Sequence, residues 1–444
     1  MGIVAFLATV ALLIISLIYR FKNKAENKIV HPSTIFYILW VFILFLSVLN
    51  LYGLYKPSNE AYFLILLMII LFGIGNFIGE KISKHGENKE SEIETKLESV
   101  EKFWNFSTIV IFALSIIYII LLLIDSYIVI SNYASGVPMW KIRRWNMEPF
   151  DTANNPLLNR RTVIEEAFRS IIISPFELIL TPIAAYYFFN KNGKKKYFYV
   201  AFSLIILLLS SVAGGGGRLG YIYYFGTYLL SYIYMMKNNK NVSEENKKIY
   251  KKVIYALLVV GVTVVIIFTA IRTDMSFFKQ VYKYFALPPT LLSVWIPQMK
   301  DAEHTYGMLT FFGVHSYFFR GLKAVNLGFL VPEIYNNAYD YLLKAEYFVQ
   351  SGVGVANAFV TPIYYFYIDG GYPFVCIASL LFGILVSYVY KKICNNIDLR
   401  NFVIYILMIY GVFLTFIRIQ TCIPGYIISF ILAFLILKRE KKNE

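Results

Sequence analysis

The sharpest chemical feature in the chain is the run Ser210-Ser211-Val212-Ala213-Gly214-Gly215-Gly216-Gly217-Arg218-Leu219-Gly220. Consecutive glycines adopt positive φ without penalty and let a ligand approach bare backbone N–H groups. An arginine placed where the next helix begins adds a guanidinium to the positive end of that helix. Gly216, Gly217 and Arg218 therefore suit a phosphate. The plainer reading is a tight helical hairpin whose arginine snorkels to lipid headgroups. Arg272 and Arg418 recur at the ends of two later apolar runs, and Arg320 lies between them. A guanidinium is planar, stays charged and presents a fork of donors that fits phosphate or carboxylate, whereas a lysine is a point charge. Arg218, Arg272 and Arg418 come from three separate hairpins, and the expectation is that they converge on one pyrophosphate, with Arg320 behind them.

Other residue types supply the remaining chemistry. A second basic group, Arg143, Arg144, Arg160 and Arg161, follows or flanks the run Trp140-Lys141-Ile142-Arg143-Arg144-Trp145. Aromatic rings interleaved with cations suit a membrane-interface segment that holds phosphates. Salt bridges to Glu148, Asp151, Glu165 and Glu166 are the competing reading. A hydroxyl that attacks as a nucleophile needs a base, and Asp369, His315 and His304 are the candidates in that order. Asp369 has an equal claim to capping a helix or bridging an arginine. Asp125 and Glu177 lie inside apolar runs, where acids are costly and often functional. They orient arginines or carry protons.

The elements that must position these groups follow from composition. Of 444 residues, 58% are hydrophobic and 16% charged, against about 25% charged in a typical soluble domain. A water-soluble enzyme, a single-span receptor, a disordered chain and a collagen-like fold are all excluded. The apolar runs are too long for the alternating strands of a membrane barrel. The expected class is an all-α polytopic membrane protein. Its spans are placed at 3–19, 35–54, 61–79, 103–124, 171–190, 197–213, 220–236, 253–271, 372–390, 402–417 and 422–437. The whole chain, 1–444, is read as a single membrane domain with two long exterior segments, a basic loop at 131–170 and a larger loop at 272–371. Segment 306–322 is read as a surface or re-entrant helix. Two extra crossings there and at 353–368 are the alternative.

Charge fixes the expected orientation. Arg20, Lys22, Lys24 and Lys28 follow the first run, which puts the N-terminus outside and, with eleven spans, the C-terminus inside. On that topology 23 of 30 lysines are cytoplasmic, but nine of 12 arginines are exterior: Arg143, Arg144, Arg160, Arg161, Arg169, Arg218, Arg272, Arg320 and Arg418. Lysine follows the positive-inside rule and arginine runs against it. An anionic ligand on the outer face accounts for the difference, most simply a lipid-linked phosphate. Three cysteines (Cys376, Cys394, Cys422) form no even framework, so no disulfide and no metal site is read. No Walker pattern or Asp-x-Asp nucleotide site is present, and no cofactor or nucleic-acid partner is expected.

A family resemblance joins these features. The arginine after the Gly/Ser turn, the arginine one hairpin later, the long late exterior loop and the run Asn357-Ala358-Phe359-Val360-Thr361-Pro362-Ile363-Tyr364-Tyr365-Phe366-Tyr367-Ile368-Asp369-Gly370-Gly371 resemble the Wzy-type oligosaccharide repeat-unit polymerases of O-antigen and capsule assembly. The following span carries a glycine near its middle, here Gly383, as in that family. The resemblance implies a GT-C-type glycosyltransferase of the bacterial cytoplasmic membrane. Its donor would be a glycan on undecaprenyl pyrophosphate and its acceptor a single lipid-linked repeat unit, both presented on the outer leaflet of the bilayer. Asn357, Thr361, Tyr364 and Tyr365 would then line the substrate. A chain-length regulator stands open as a protein partner. The related O-antigen ligases share the plan, and their exterior histidine corresponds to either His304 or His315. A lipid-linked oligosaccharide flippase or other secondary transporter is the competing class; it calls for broken helices and an internal repeat.

Overall fold

The computed structural model describes residues 1–22, 29–86, 101–139, 141–142, 161–190, 195–215, 217–238, 244–272, 276–352, 354–395 and 398–437. The fold is all-α and polytopic. Among the described residues, eight helices are long and apolar enough to cross a membrane, three fewer than the eleven spans expected. They are placed where the apolar runs predict them, with ends that differ by several residues.

One unit gathers residues 1–96, 278–396 and 408–427. It begins with α1 (Gly2–Lys22), α2 (Pro32–Leu49) and α3 (Asn59–Gly86). Helix α2 starts for local reasons. His31 accepts the Ser33 N–H as N-cap and Pro32 occupies the first helical position, where its missing N–H costs nothing. It stops at Asn50, which takes the left-handed conformation. The same unit holds α10 (Phe277–Lys300), α11 (Phe312–Ala324), α12 (Glu333–Lys344), the short antiparallel pair β1 (Val349–Gln350) and β2 (Val355–Ala356), and α13 (Thr361–Asn395). Its core is aromatic: Phe36, Trp40, Phe72, Tyr364 and Tyr365 are almost fully buried.

Helices α3 and α13 touch backbone to backbone. A Cβ on Gly75 would stand 2.1 Å from the Leu380 carbonyl oxygen, and one on Gly383 2.2 Å from that of Phe72. Gly75 and Gly79 form a G-x-x-x-G step that lets two apolar helices approach where lipid supplies no hydrophobic drive between them. Helix α13 is also broken. Gly370 and Gly371 leave helical geometry, with Gly371 at φ +63°. The residues 361–369 form a short, entirely buried leg, and the longer leg runs on to Asn395.

The other unit gathers residues 97–277, 397–407 and 428–444. Its helices are α4 (Glu101–Ala134), α5 (Val163–Phe168), a π-helical turn (Arg169–Ile173), α6 (Ser174–Asn190), α7 (Lys195–Ala213), α8 (Leu219–Asn238) and α9 (Glu244–Arg272). Its core packs Ala185 and Phe189 of α6 against Tyr221, Tyr224 and Tyr228 of α8. The last two helices of the chain are α14 (Leu399–Phe413) and α15 (Pro424–Ile436).

Crossing the hydrocarbon takes about 20 residues. Helix α11 has 13 residues, and the 361–369 leg is shorter still. Neither reaches that length.

Candidate functional site

Helix α10 sets the floor of the site in the first unit. It runs along the chain between α2 and α3, held by side-chain hydrogen bonds. Tyr282 Oη donates to the Leu46 carbonyl at 2.9 Å and accepts the Leu51 N–H at 2.6 Å. Thr290 Oγ1 donates to the Tyr55 carbonyl at 3.1 Å, and the Ser58 N–H donates to Ser293 Oγ at 2.7 Å. At its end Lys300 Nζ reaches Glu60 Oε2 at 2.8 Å, and Tyr372 Oη donates to the other oxygen of Glu60 at 2.6 Å. Three elements thus meet at the break in α13.

Asp369 and His304 sit at that break. The Asp369 side chain is fully buried. Its Oδ1 accepts from Thr305 Oγ1 at 2.5 Å and from the Leu309 N–H at 3.1 Å, and its Oδ2 accepts the Thr310 N–H at 2.8 Å. The Asp369 carboxylate is therefore the anchor of the 305–311 turns, with both oxygens engaged. His304 differs. It is exposed, and its Nδ1 lies 3.2 Å from the Ile368 carbonyl. Because that oxygen only accepts, Nδ1 carries the proton, and Nε2 is left with a lone pair. The ring faces Gly371, where a Cβ would stand 3.9 Å from Nε2. A bare glycine with φ +63° keeps this approach open.

His315 is turned inward. Its Nε2 lies 3.0 Å from the Met308 carbonyl, and its Nδ1 is buried without a hydrogen-bond partner. Burial pulls it below the ordinary histidine range, against the Met308 carbonyl and the Asp369 charge. Arg320 is exposed, with its guanidinium 5.8 Å from the centre of the Tyr339 ring.

The opposite end of the 361–369 leg carries Arg418. Its Nη1 is ion-paired with Glu346 Oε1, both side chains partly buried. Burial disfavours the charged form, but Tyr365 and Glu346 outweigh it and push Arg418 up. Asn357 ties in from below: its Nδ2 donates to the Glu346 carbonyl at 2.9 Å. The N–H groups of Val360 and Thr361 both donate to the Ile417 carbonyl, at 3.1 and 3.0 Å. Ala358 and Thr361 each have φ +65°. For a β-branched threonine that conformation is costly, and such strain clusters at functional sites. Tyr364 Oη donates to the Tyr341 carbonyl at 3.0 Å, and Tyr365 is buried. The two ends of the leg are about 12 Å apart at 1.5 Å per helical residue.

The second unit holds the other predicted arginines. Helix α7 ends at Ala213 and α8 begins at Leu219, so the glycine turn lies where the sequence puts it. Gly215 has φ +63°, the Gly217 carbonyl accepts from Ser211 Oγ at 3.2 Å, and the half-buried Arg218 directly precedes the helix. Gly216 lies outside the described residues. Arg272 is the last residue of α9, and its side chain lies outside the described residues, as do Arg143, Arg144 and Arg160. Arg161 and Arg169 share one intramembrane acid. Asp125 Oδ2 accepts from Arg169 Nη1 at 2.7 Å and from Arg161 Nη2 at 2.9 Å. Glu166 and Glu165 complete the two pairs, at 3.0 and 2.8 Å. These two arginines, expected on the exterior, thus form salt bridges with neighbouring acids. Glu177 accepts a hydrogen bond from Tyr118 Oη.

Asp369, His304, His315, Arg320, Arg418, Asn357, Thr361, Tyr364 and Tyr365 all fall in the first unit; Arg218, Arg272 and Arg161 fall in the second. Glu346, Glu60 and Tyr372 were not singled out from sequence, because nothing local marks them. Among the described residues, no three His, Cys, Asp or Glu side chains gather as a metal site. No family model, curated protein or solved structure matches this chain.

Proposed function

We propose that the protein is a membrane glycosyltransferase of GT-C type that polymerises lipid-linked oligosaccharide repeat units on the outer face of the bacterial cytoplasmic membrane. Eleven spans, an exterior N-terminus and a cytoplasmic C-terminus belong to this reading. The observation that carries it is the open nitrogen of His304 at one end of the buried 361–369 leg, with the Arg418 guanidinium at the other.

The chemistry follows from those groups. The acceptor hydroxyl attacks the anomeric carbon of the donor sugar. Its proton passes to His304 Nε2, and the electron pair of the broken C–O bond leaves on undecaprenyl pyrophosphate. The departing oxygens gain charge, and guanidinium groups fixed beforehand stabilise it. Arg418, ion-paired at the far end of the leg, is assigned to that role; Arg218 and Arg272, in the other unit, stand as candidates from the sequence alone. Removing one such donor costs about 10²–10³ in rate. Asp369 supports the reaction by holding the 305–311 turns against the break, which leaves His304 as the base. Asn357, Thr361, Tyr364 and Tyr365 shape the substrate path.

One observation favours a second reading. Helices broken near a binding site are a device of secondary transporters, and α13 is broken at Gly370 and Gly371. A flippase for the same lipid-linked oligosaccharide would use it as a hinge. Purified protein given a synthetic undecaprenyl-pyrophosphate oligosaccharide separates the two. A ladder of longer lipid-linked glycans, lost in Arg218→Ala, Arg272→Ala and His304→Ala, supports the polymerase. No ladder, with intact substrate crossing liposomes, overturns it in favour of the flippase.

A further inference from the structure

Helix α11 presents an apolar stripe that no described residue of its unit covers. Phe311, Val314, Phe318 and Val325 are 48, 60, 66 and 64% exposed. At 100° per residue these four positions fall within about 60° of one another, a single face. Phe329 and Leu330 extend it, exposed at 80 and 54%. The helix itself carries no acid. Its other side is docked. Phe312, Gly313 and Ser316 are buried, Phe312 stacks on Tyr335 at 5.2 Å, and Arg320 and Lys323 lie over the rings of Tyr339 and Tyr335.

The height of this helix is set by two apolar segments. Gly307 lies between the rings of Phe311 and Phe374, each 3.7 Å from where its Cβ would be, and Phe374 belongs to the first turn of the longer leg of α13. A Cβ on Gly313 would stand 2.6 Å from the Thr421 carbonyl oxygen and 2.8 Å from that of Ile423. Thr421 Oγ1 also donates to the Thr310 carbonyl at 2.6 Å. Residue 424 then starts the apolar helix α15. Helix α11 is thus fastened where two apolar helices begin.

The geometry points to α11 as a monotopic helix that lies in the membrane interface, its Phe311–Val314–Phe318–Val325 face in phospholipid acyl chains. Thirteen residues are too few to cross, and a large apolar face at a span entrance is continuous with the lipid-facing surface. The cations fit the same placement. Arg320 and Lys323 lie on the far side of the helix, about 10 Å above its apolar face, at the level of the headgroup phosphates. Arg320 thereby serves as a headgroup anchor. This inference does not depend on the reaction.

Site-directed spin labelling tests it. The full chain, with Cys376, Cys394 and Cys422 replaced by serine, is labelled singly at Val314→Cys, Phe318→Cys, Lys323→Cys and Val325→Cys in vesicles of phosphatidylethanolamine and phosphatidylglycerol. Collisions with oxygen should exceed those with a water-soluble nickel chelate at 314, 318 and 325, and the order should reverse at 323. Equal or greater nickel access at 314 and 318 overturns the inference, because the face is then in water. Low access to both probes there also overturns it, because protein then covers the face. Labelled chains that elute as the unlabelled one does in gel filtration show that folding is intact.

Discussion

Helix α3 carries a glutamate near each end, and the two are used in opposite ways. At one end Glu80 is buried. It meets His31 Nε2 at 3.2 Å and Arg20 Nη2 at 3.6 Å, and Arg20 also donates to Ser33 Oγ at 2.7 Å. His31 is closed from the other side by Ser33, whose N–H donates to Nδ1 at 3.2 Å, and by the Tyr390 ring at 4.1 Å. At the other end Glu60 is partly open, its partner Lys300 half exposed, and His304 nearby keeps one nitrogen free. The closed cluster ties α1, α2, α3 and α13 together. The open one surrounds a break in α13 with groups that can exchange partners. Saturation marks the first as structural, and the unused valence marks the second as the candidate site.

The largest effect expected of this contrast is on stability. Glu80→Ala leaves the Arg20 guanidinium buried without its counter-charge and the neutral His31 ring without its Glu80 contact, and breaking a buried pair costs about 3–5 kcal/mol. Thermal unfolding in detergent should show a large drop in Tm. An unchanged Tm would mean that the closed cluster is not what holds those helices together.

His304→Ala should do the reverse. Loss of a general base costs about 10²–10⁴ in rate, while an exposed ring with one backbone hydrogen bond contributes little to folding. The glycan ladder should vanish with Tm unmoved, and His31→Ala should lower Tm and spare the ladder per folded molecule. If His304→Ala keeps full activity, the base lies elsewhere and the open end loses its catalytic assignment.

Acid should find the closed end first. Burial is the main cause that pulls His31 from 6.5 down to about 4; Arg20 adds to the pull and Glu80 opposes it. The folded value lies below the unfolded one, so the unfolded chain binds the extra proton. The stability is complete above about pH 6.5 and is lost as pH falls toward 4, at about 1.4 kcal/mol per unit and about 3 kcal/mol in all. A melting series over that window should slope downward toward acid, and His31→Gln should flatten it. The groups facing His31 are Arg20, Ser33, Glu80 and Tyr390, and a slope that survives His31→Gln is not the histidine's.

What was legible from sequence tracks how local the physics is. The glycine turn between α7 and α8 could be read residue by residue, because turn and helix start are decided within ten positions. The apolar runs marked the helices for the same reason. The break at Gly370 and Gly371 stood in the sequence as two glycines after Asp369, yet its consequence for His304 did not, because the partners are 64 residues apart. Asp369 read equally as a base and as a structural group, and only folding brings Thr305, Leu309 and Thr310 to its oxygens. Glu346 was invisible until Arg418 was placed beside it, 72 positions away. Arg161 and Arg169 raised the exterior arginine count, while the carboxylate they share, Asp125, lies 36 and 44 positions off.

Salt separates the two ends most finely. Glu60 and Lys300 are open to solvent, and exposed pairs are screened within about 8 Å at physiological ionic strength. Glu60→Gln should therefore lower Tm only slightly, and the difference from wild type should shrink between low and high salt. The Tyr372 hydroxyl can still donate to the amide oxygen, so the break keeps one of its two ties. Glu80→Gln should lower Tm by a larger amount that salt leaves unchanged, because ions do not reach a pair enclosed by four helices. If the Glu80→Gln difference fades with salt as the Glu60→Gln difference does, water enters the closed cluster, and burial no longer distinguishes the two ends of α3.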